Sequence, residues 1–325
     1  MKTKLIFVEG LPGSGKSSTA QYLWMQLQKQ GASCRWYYEE VSPHPLALFD
    51  RDSGNKTVPE IISDGLKKWK AFVSEAKQTD EIRIIESRLL LDNIFPLVMK
   101  EIEKSKIAAF IHAVIGECRG LDPVLIYFHQ FDYSNTLRRI CQQRGEYIEK
   151  IYIQRAEKSL FGRRRGLRGF GGLVQFWTAV GEIADQLYEE VAIPKIAIDN
   201  SGWQWPVYYR QMCDFLGIPW HDNPPREDGY LRKYSGTYGC QFNDEPREFT
   251  IRLHNGQLVI RNFPWLWPED RLIPKEDNVF YVASWPFELV FHEDASGAIT
   301  GMRKETLAGD WRKQDQVFPK KKGSE

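Results

Sequence analysis

The feature that most constrains this chain is a glycine-rich segment near its start. Residues 10–17 read Gly-Leu-Pro-Gly-Ser-Gly-Lys-Ser, which fits the pattern G-x-x-x-x-G-K-[ST]. A short apolar run at residues 4–8 predicts a buried strand before it, and residues 20–27 predict a helix after it, ended by Gly31. The pattern can bind a phosphate only when it connects a strand to a helix. The segments before and after it are predicted to be a strand and a helix.

The segment is typical of a phosphate-binding loop, the Walker A motif. Glycine permits backbone angles closed to other residues, so successive N–H groups can turn inward around a phosphate at the positive end of the helix dipole. In such loops Lys16 would reach the β- and γ-phosphates, and the Ser17 hydroxyl would be a Mg²⁺ ligand. We therefore expect ATP and Mg²⁺ as cofactors. The residues expected to hold them are Gly10, Leu11, Pro12, Gly13, Ser14, Gly15, Lys16, Ser17 and Ser18.

Strand-like and helix-like segments alternate as far as residue 218. The strand-like runs are apolar nearly throughout, which is typical of parallel strands covered on both faces. We predict an α/β domain over residues 1–218, with a parallel sheet of about five strands covered by helices. In such folds ligands lie beyond the carboxyl ends of the strands.

The pattern changes at residues 219–228, a linker with three prolines. Helical periodicity then disappears, and Asn255-Gly256 is a hairpin turn signal between short strand-like runs. We predict a small all-β meander, a barrel or half-barrel, over residues 229–312 and a polar tail over residues 313–325. Its role is left open between covering the active site, homodimerisation and binding an apolar ligand.

Composition excludes several classes of protein. With 44 basic and 43 acidic side chains among 325 residues, the net charge of +1 argues against a dedicated nucleic-acid binder. No apolar run approaches the roughly 20 residues of a membrane span. Five scattered cysteines without C-x-x-C spacing predict reduced thiols, and three of the histidines, His44, His112 and His129, lack metal-ligand spacing. Because residues 1–4 leave no room for a signal peptide, we expect a cytoplasmic protein.

Acidic residues follow the first three predicted strands. They are Glu9, the pair Glu39 and Glu40, and Glu86. Phosphoryl transfer to a hydroxyl needs a carboxylate that orients and deprotonates the acceptor. We expect Glu86 or Glu40 to fill this catalytic role, although Glu86 would equally serve as a holder of Mg²⁺. Glu9 is left open between a structural role and a hydrogen bond to substrate.

Arginines in two later segments are candidates for closing over the phosphates. Arg139 and Arg144 flank a predicted helix end; they are five residues apart, so they would not share a face of an unbroken helix. A second cluster is interleaved with glycines, and it fits a phosphate lid as well as it fits a solvated basic loop. Its members are Arg163, Arg164, Arg165 and Arg168.

These motifs resemble those of the nucleoside and nucleotide kinases. Residues 8–10 and 15–18 look like the opening of thymidylate kinases and deoxynucleoside kinases, and residues 137–145 are similar to their arginine-bearing lid. Residues 86–88 stand where those kinases carry acid-Arg-Ser, here with Ser and Arg exchanged, and Glu146 stands where they often have Arg. Residues 234–238 and 256–258 resemble small lipocalin-like β domains appended to bacterial enzymes.

The resemblance implies an ATP-dependent kinase of a small molecule, with a nucleoside or nucleotide as the leading acceptor. An antibiotic-modifying kinase is the first alternative. The second is an ATPase or nucleotide-dependent switch. The chain has neither the N-K-x-D motif of GTPases nor the apolar run ending in Asp-Glu that is usual in motor ATPases.

Overall fold

The computed structural model describes residues 2–49, 56–221, 226–264, 266–307 and 317–321. The chain divides into two compact units: Met1–Gln142 with Glu146–Trp220, and Gln143–Gly145 with His221–Glu325. Residues 222–225 of the predicted linker, and 313–316 and 322–325 of the predicted tail, lie outside the described residues. No helix among the described residues has the length and apolar character needed to cross a membrane.

The first unit contains the predicted parallel five-stranded sheet, with strand order β2-β3-β1-β4-β5. The strands are β1 Leu5–Gly10, β2 Cys34–Tyr37, β3 Ile82–Glu86, β4 Val124–His129 and β5 Lys195–Asp199. All six residues of β1 are buried, because the strand is central and covered on both faces. Val8 pairs with Glu86 of β3, and Gly10 pairs with Phe128 of β4. The ends of β1 and β3 therefore meet at one edge of the sheet.

Helices cover the sheet, and aromatic side chains such as Trp69, Phe7 and Phe72 pack edge to face within one apolar core. The helices of this part of the chain are α1 Lys16–Lys29, α2 Val58–Ala76, α3 Leu91–Met99, α4 Lys104–Cys118, α5 Tyr133–Arg144, α6 Glu146–Lys158, α7 Leu160–Arg165, α8 Gly169–Glu190 and α9 Trp205–Leu216. α2 starts with a capping box, because the Glu60 carboxylate accepts a hydrogen bond from the Thr57 N–H (2.7 Å).

The polar segment around residues 145–172, which is rich in arginine and glycine, is largely helical. Ala156 of α6 is buried, and Tyr152 and Ile153 pack against the apolar core. Gly162 lies inside α7, where an added Cβ would stand 2.0 Å from the Ala156 carbonyl oxygen. The glycine is therefore required for close packing of α6 and α7.

The second unit contains one short helix, α10 Asp228–Arg232, and a single eight-stranded antiparallel sheet in which neighbours in sequence are neighbours in space. The strands are β6 Gly236–Phe242, β7 Glu245–His254, β8 Gln257–Arg261, β9 Glu269–Glu276, β10 Val279–Val282, β11 Phe287–Glu293, β12 Ile299–Thr306 and β13 Val317–Pro319. The sheet is nearly closed into a barrel, since Lys320 bridges to Tyr238 and the Lys321 N–H donates to the Thr237 carbonyl (2.8 Å). β13 lies within the segment predicted as a polar tail.

The inner face of this sheet is aromatic. Phe249 stacks on Tyr238 at a centroid distance of 5.6 Å and meets Phe263 and Phe318 edge to face at 4.8 and 5.5 Å. These side chains are at most 2 % exposed. They form the core that holds the second unit together.

Candidate active site

The glycine-rich loop turns between β1 and α1 with the backbone angles that its sequence predicts. Gly10, Gly13 and Gly15 have φ of 145°, 72° and 90°, in the left-handed region that favours glycine. Close neighbours also exclude a side chain, since an added Cβ would lie 2.1 Å from Ile140 at Gly13 and 2.1 Å from Trp205 at Gly15. Both the turn and its packing therefore depend on glycine.

The loop is anchored to the neighbouring strand ends. The Ser14 carbonyl accepts a hydrogen bond from the Asn200 side chain (2.5 Å), and Asn200 in turn accepts one from Gln130 (2.6 Å). The Lys16 side chain is buried and folds back over the loop, where its Nζ donates to the Leu11 carbonyl (3.2 Å). The ammonium group therefore lies over the loop backbone, the position from which it would contact a bound phosphate.

Glu86, the last residue of β3, links the loop to β2. Its side chain is fully buried; one carboxylate oxygen accepts a hydrogen bond from the Glu39 N–H (2.9 Å), and the Ser17 hydroxyl also hydrogen-bonds to the carboxylate. Burial, with the nearby Glu39 charge, raises the pKa of Glu86 to about 8, against the opposing charge of Lys16. The charges of Glu86 and of Lys16 in the loop therefore influence each other.

A second group of charges lies beside Glu86. The Ser87 hydroxyl donates to the Glu39 carboxylate, and Arg88 donates to the Glu39 carbonyl. Arg88 also forms an ion pair with Asp92 (2.8 Å). Burial and the Glu39 charge raise the pKa of Asp92 to about 7, although Arg88 opposes the shift. The sequence analysis missed Asp92, which lies on the first turn of α3. The one sequence feature that points to it is its i,i+4 spacing from Arg88.

The other strand-end carboxylates lie in different surroundings. Glu9 is fully buried and accepts hydrogen bonds from the N–H groups of Leu89 (2.7 Å) and Leu91 (3.1 Å), so it holds the start of α3. Burial raises its pKa to about 7. Of the two roles left open for Glu9, the structural one fits these contacts. Glu40 is exposed, whereas Glu39 is partly buried.

The structure separates the candidate arginines. Arg139 of α5 is in the same unit as the loop, with its guanidinium 3.8 Å above the Trp203 ring. Arg144 is grouped with the second unit. In α7, Arg164 and Arg165 form ion pairs with Glu101, which lower the pKa of that carboxyl group. Arg163 and Arg168 donate to backbone carbonyls, of Lys158 (2.6 Å) and Leu167 (2.7 Å).

Several buried polar atoms of the glycine-rich loop, of the end of β3 and of the segments after β2 and β3 have no hydrogen-bond partner among the described residues. They are Ser14 Oγ, Glu86 Oε2, Arg88 Nε and His44 Nε2. Buried polar atoms in folded proteins are nearly always paired, so this concentration fits a site that receives a polar ligand.

Ser17 and Glu86 fit the magnesium ion of a bound nucleotide. The described part of the chain has no group of three or more His, Cys, Asp or Glu side chains placed to hold a metal ion. Mg²⁺ in phosphoryl-transfer sites takes one or two protein ligands and completes its shell with phosphate oxygens and water. A hydroxyl with one adjoining carboxylate is therefore a sufficient donor set for this ion.

No protein-family model matches the chain, and no curated protein is similar to it in sequence. Among solved structures, the chain is similar to a deoxyadenosine kinase from M. mycoides with its products dCMP and dCDP bound, at 18 % identity and a TM-score of 0.36. It is also similar to the deoxyadenosine kinase from that organism with dATP bound, at 16 % identity and a TM-score of 0.38. Each match covers 65 % of this chain and 98 % of the other.

Proposed function

We propose that the chain is an ATP-dependent phosphotransferase that moves the γ-phosphoryl group to a small molecule, with a nucleoside or nucleotide as the leading acceptor. One observation carries the proposal: Glu86 is hydrogen-bonded both to Ser17 of the phosphate loop and to the backbone of Glu39. A nucleotide-holding group and an acceptor-side carboxylate are thereby joined at one sheet edge. A protein that only bound ATP would not need Glu39, the second carboxylate, beside Glu86 and Arg88.

On the donor side, the loop N–H groups, Lys16 and Ser17 would hold the phosphates of ATP. Bound Mg²⁺ would neutralise charge on the β- and γ-phosphates, with Ser17 as its protein ligand and Glu86 fixing the ion's water. The negative charges of ATP would disfavour the ionised form of Glu86, but Mg²⁺ and Lys16 would favour it more strongly. Glu86 therefore suits the Mg²⁺-holding role better than the role of the base.

On the acceptor side, Glu39 replaces Glu40 as the leading base. The Glu39 carboxylate is partly buried and fixed by the Ser87 hydroxyl, whereas Glu40 is exposed. Glu39 would take the proton of the acceptor hydroxyl as its oxygen attacks the γ-phosphorus and the bond to the ADP oxygen breaks. Arg88 adds a positive charge beside this group, and Arg139, on α5 of the same unit, would close over the phosphates.

The two alternatives predict different products. An antibiotic-modifying kinase would release ADP only with an aminoglycoside or similar acceptor, and a switch would release ADP with no acceptor at all. The test is ADP formation from Mg·ATP in the presence of nucleosides, nucleotides or antibiotics, compared with ATP alone. Acceptor-dependent turnover supports the kinase, whereas equal turnover without an acceptor contradicts it.

Lys16→Ala is the matched control for that assay. We expect it to abolish turnover while the protein stays folded, because the hydrogen bond that the structure gives the ammonium group is to the Leu11 carbonyl of its own loop. Far-UV circular dichroism and thermal unfolding would check the fold. Wild-type turnover by a folded Lys16→Ala protein would overturn the assignment of the loop.

A further inference from the structure

The loop after β2 contains a histidine that the proposed phosphoryl transfer does not use. His44 is 7 % exposed, and its Nδ1 accepts a hydrogen bond from the Leu46 N–H (3.0 Å). This contact places the ring proton on Nε2. Burial and the charge of Arg88 lower the pKa of His44 to about 3, so the ring is neutral and Nε2–H is a donor.

The Nε2 donor is itself buried and has no hydrogen-bond partner among the described residues. A buried donor without a partner is unfavourable, and folded proteins tolerate few of them. The loop cannot easily turn the ring elsewhere, because Leu46 and Leu48 are buried in the core and Lys68 donates to the Ala47 carbonyl (2.7 Å). The position of the donor is therefore fixed.

The surroundings of His44 belong to the acceptor side of the site. Arg88 influences His44 electrostatically and also binds the Glu39 main chain, and its Nε is a second buried donor without a partner in the described part of the chain. The Tyr37 ring stands edge to face with the imidazole at 6.3 Å. Two unpaired donors and an aromatic ring are thus gathered next to the candidate base.

We propose that His44 is a specificity-determining residue of the acceptor subsite, whose Nε2–H donates to a carbonyl oxygen or ring nitrogen of a hydroxyl-bearing heterocycle. This inference rests on the proposed kinase function and narrows its acceptor. The two donors, His44 Nε2–H and Arg88 Nε–H, require lone pairs on the ligand. Because Arg88 is cationic, it also disfavours a positively charged ligand. A nucleoside base offers such lone pairs, whereas the ammonium groups of an aminoglycoside would face a donor and a like charge.

The test uses the full chain with two substitutions that differ in what they preserve. His44→Asn keeps a side-chain oxygen that can accept the hydrogen bond from the Leu46 N–H, as Asn does in turns. The shorter asparagine side chain does not reach the position of the Nε2 donor. His44→Gln places an amide donor near the Nε2 position. His112→Asn is the control, because His112 pairs with Glu190 on the surface.

The measurements are KM and kcat for the four deoxynucleosides, and the dissociation constant of a non-hydrolysable ATP analogue. We expect His44→Asn to raise KM for the preferred nucleoside at least tenfold, about 1.4 kcal/mol, with kcat and nucleotide affinity within twofold. His44→Gln should recover part of the loss, and His112→Asn should change nothing. A nucleoside whose contacting carbonyl or ring nitrogen is replaced by C–H should be used equally by wild type and His44→Asn.

The outcomes separate the inference from the proposed function. Unchanged KM in folded His44→Asn, with nucleoside-dependent turnover in wild type, overturns the role of His44 and leaves the kinase intact. Turnover with an aminoglycoside but with no nucleoside overturns the inference and favours the antibiotic-modifying alternative. ADP release that needs no acceptor overturns both.

Discussion

Glu39 and Glu86 are neighbours in one hydrogen-bonded network, yet their contacts give them different chemistry. Glu86 faces the loop through Ser17, whereas Glu39 faces Ser87 and Arg88. The sequence could predict that both lie at one edge of the sheet, since parallel strands end together. It could not predict which would contact Ser17, because that depends on how the loop after β2 folds. The contacts of His44, which lies in that loop, depend on the same folding and were not predicted either.

The acceptor carboxylate can be identified by comparing two adjacent residues. Glu39→Gln keeps the side-chain shape but cannot take a proton, so we expect kcat to fall by about 10²–10⁴. Glu40→Gln, at an exposed position, should change kcat less than threefold. ATP affinity should be nearly unchanged in both, because the loop supplies that binding. A loss confined to Glu40→Gln would return the role to Glu40.

The buried Glu86 carboxyl predicts a pH dependence of stability. Its pKa is about 8 in the folded chain and about 4.5 when unperturbed. Between these values the folded protein binds more protons than the unfolded one, so this group makes the free energy of unfolding fall as pH rises from about 5 to 8. Each pKa unit corresponds to about 1.4 kcal/mol.

Glu86→Gln removes that titration and leaves Glu9 and Asp92 in place. Its stability relative to wild type should therefore increase from pH 5 to pH 8, by an amount on the order of a few kcal/mol. Urea unfolding of the nucleotide-free proteins at pH 5, 6, 7 and 8 would measure the difference. A difference that does not vary with pH would show that Glu86 is ionised throughout this range.

At the level of elements, α5 and α7 place their arginines in different surroundings. α7 places Arg164 and Arg165 against Glu101, next to α3, and Gly162 in a tight contact with α6. The alternation of arginine and glycine fits a lid as well as a basic loop, and it did not predict that Arg164 and Arg165 would pair with Glu101. In the second unit, β9 was not predicted because Pro274 and its five charged residues obscure the alternation of a strand.

Substitutions on α5 and α7 should show which of these arginines act in catalysis. Arg139→Ala should lower kcat about tenfold or more, because it removes the arginine expected to stabilise the transferred phosphoryl group. Replacing both Arg164 and Arg165 by Ala should leave kcat within threefold and lower thermal stability slightly, as exposed ion pairs contribute little. Steady-state kinetics and thermal melts of both proteins would decide. A large kcat loss in the double variant alone would identify α7 as the lid.

At the scale of the whole molecule, the first unit contains the sheet, the loop and the candidate carboxylates. Its architecture was predictable because apolar strands alternate with amphipathic helices. The number of strands in the second unit was not predictable in full, because β13 is only three residues long and its sequence follows a segment with no strand pattern.

We expect residues 1–218 to fold without the rest of the chain. The fragment should unfold cooperatively and bind ATP within threefold of the full chain's affinity. Limited proteolysis of the full chain should cut within residues 219–228, because this segment contains three prolines and separates two patterns of apolar residues. An insoluble fragment, together with a resistant linker, would show that the two units depend on each other to fold.

The order of strands in the second unit has a consequence for protein synthesis. β6 is made first in its sheet, but among the described residues its free edge pairs with residues 320–321, which follow β13. At about 5–20 residues per second, a ribosome would leave that edge open on the order of several seconds. Exposed strand edges pair readily with other chains. Released chains that are truncated before residue 317 should therefore aggregate far more than released chains that extend past residue 321.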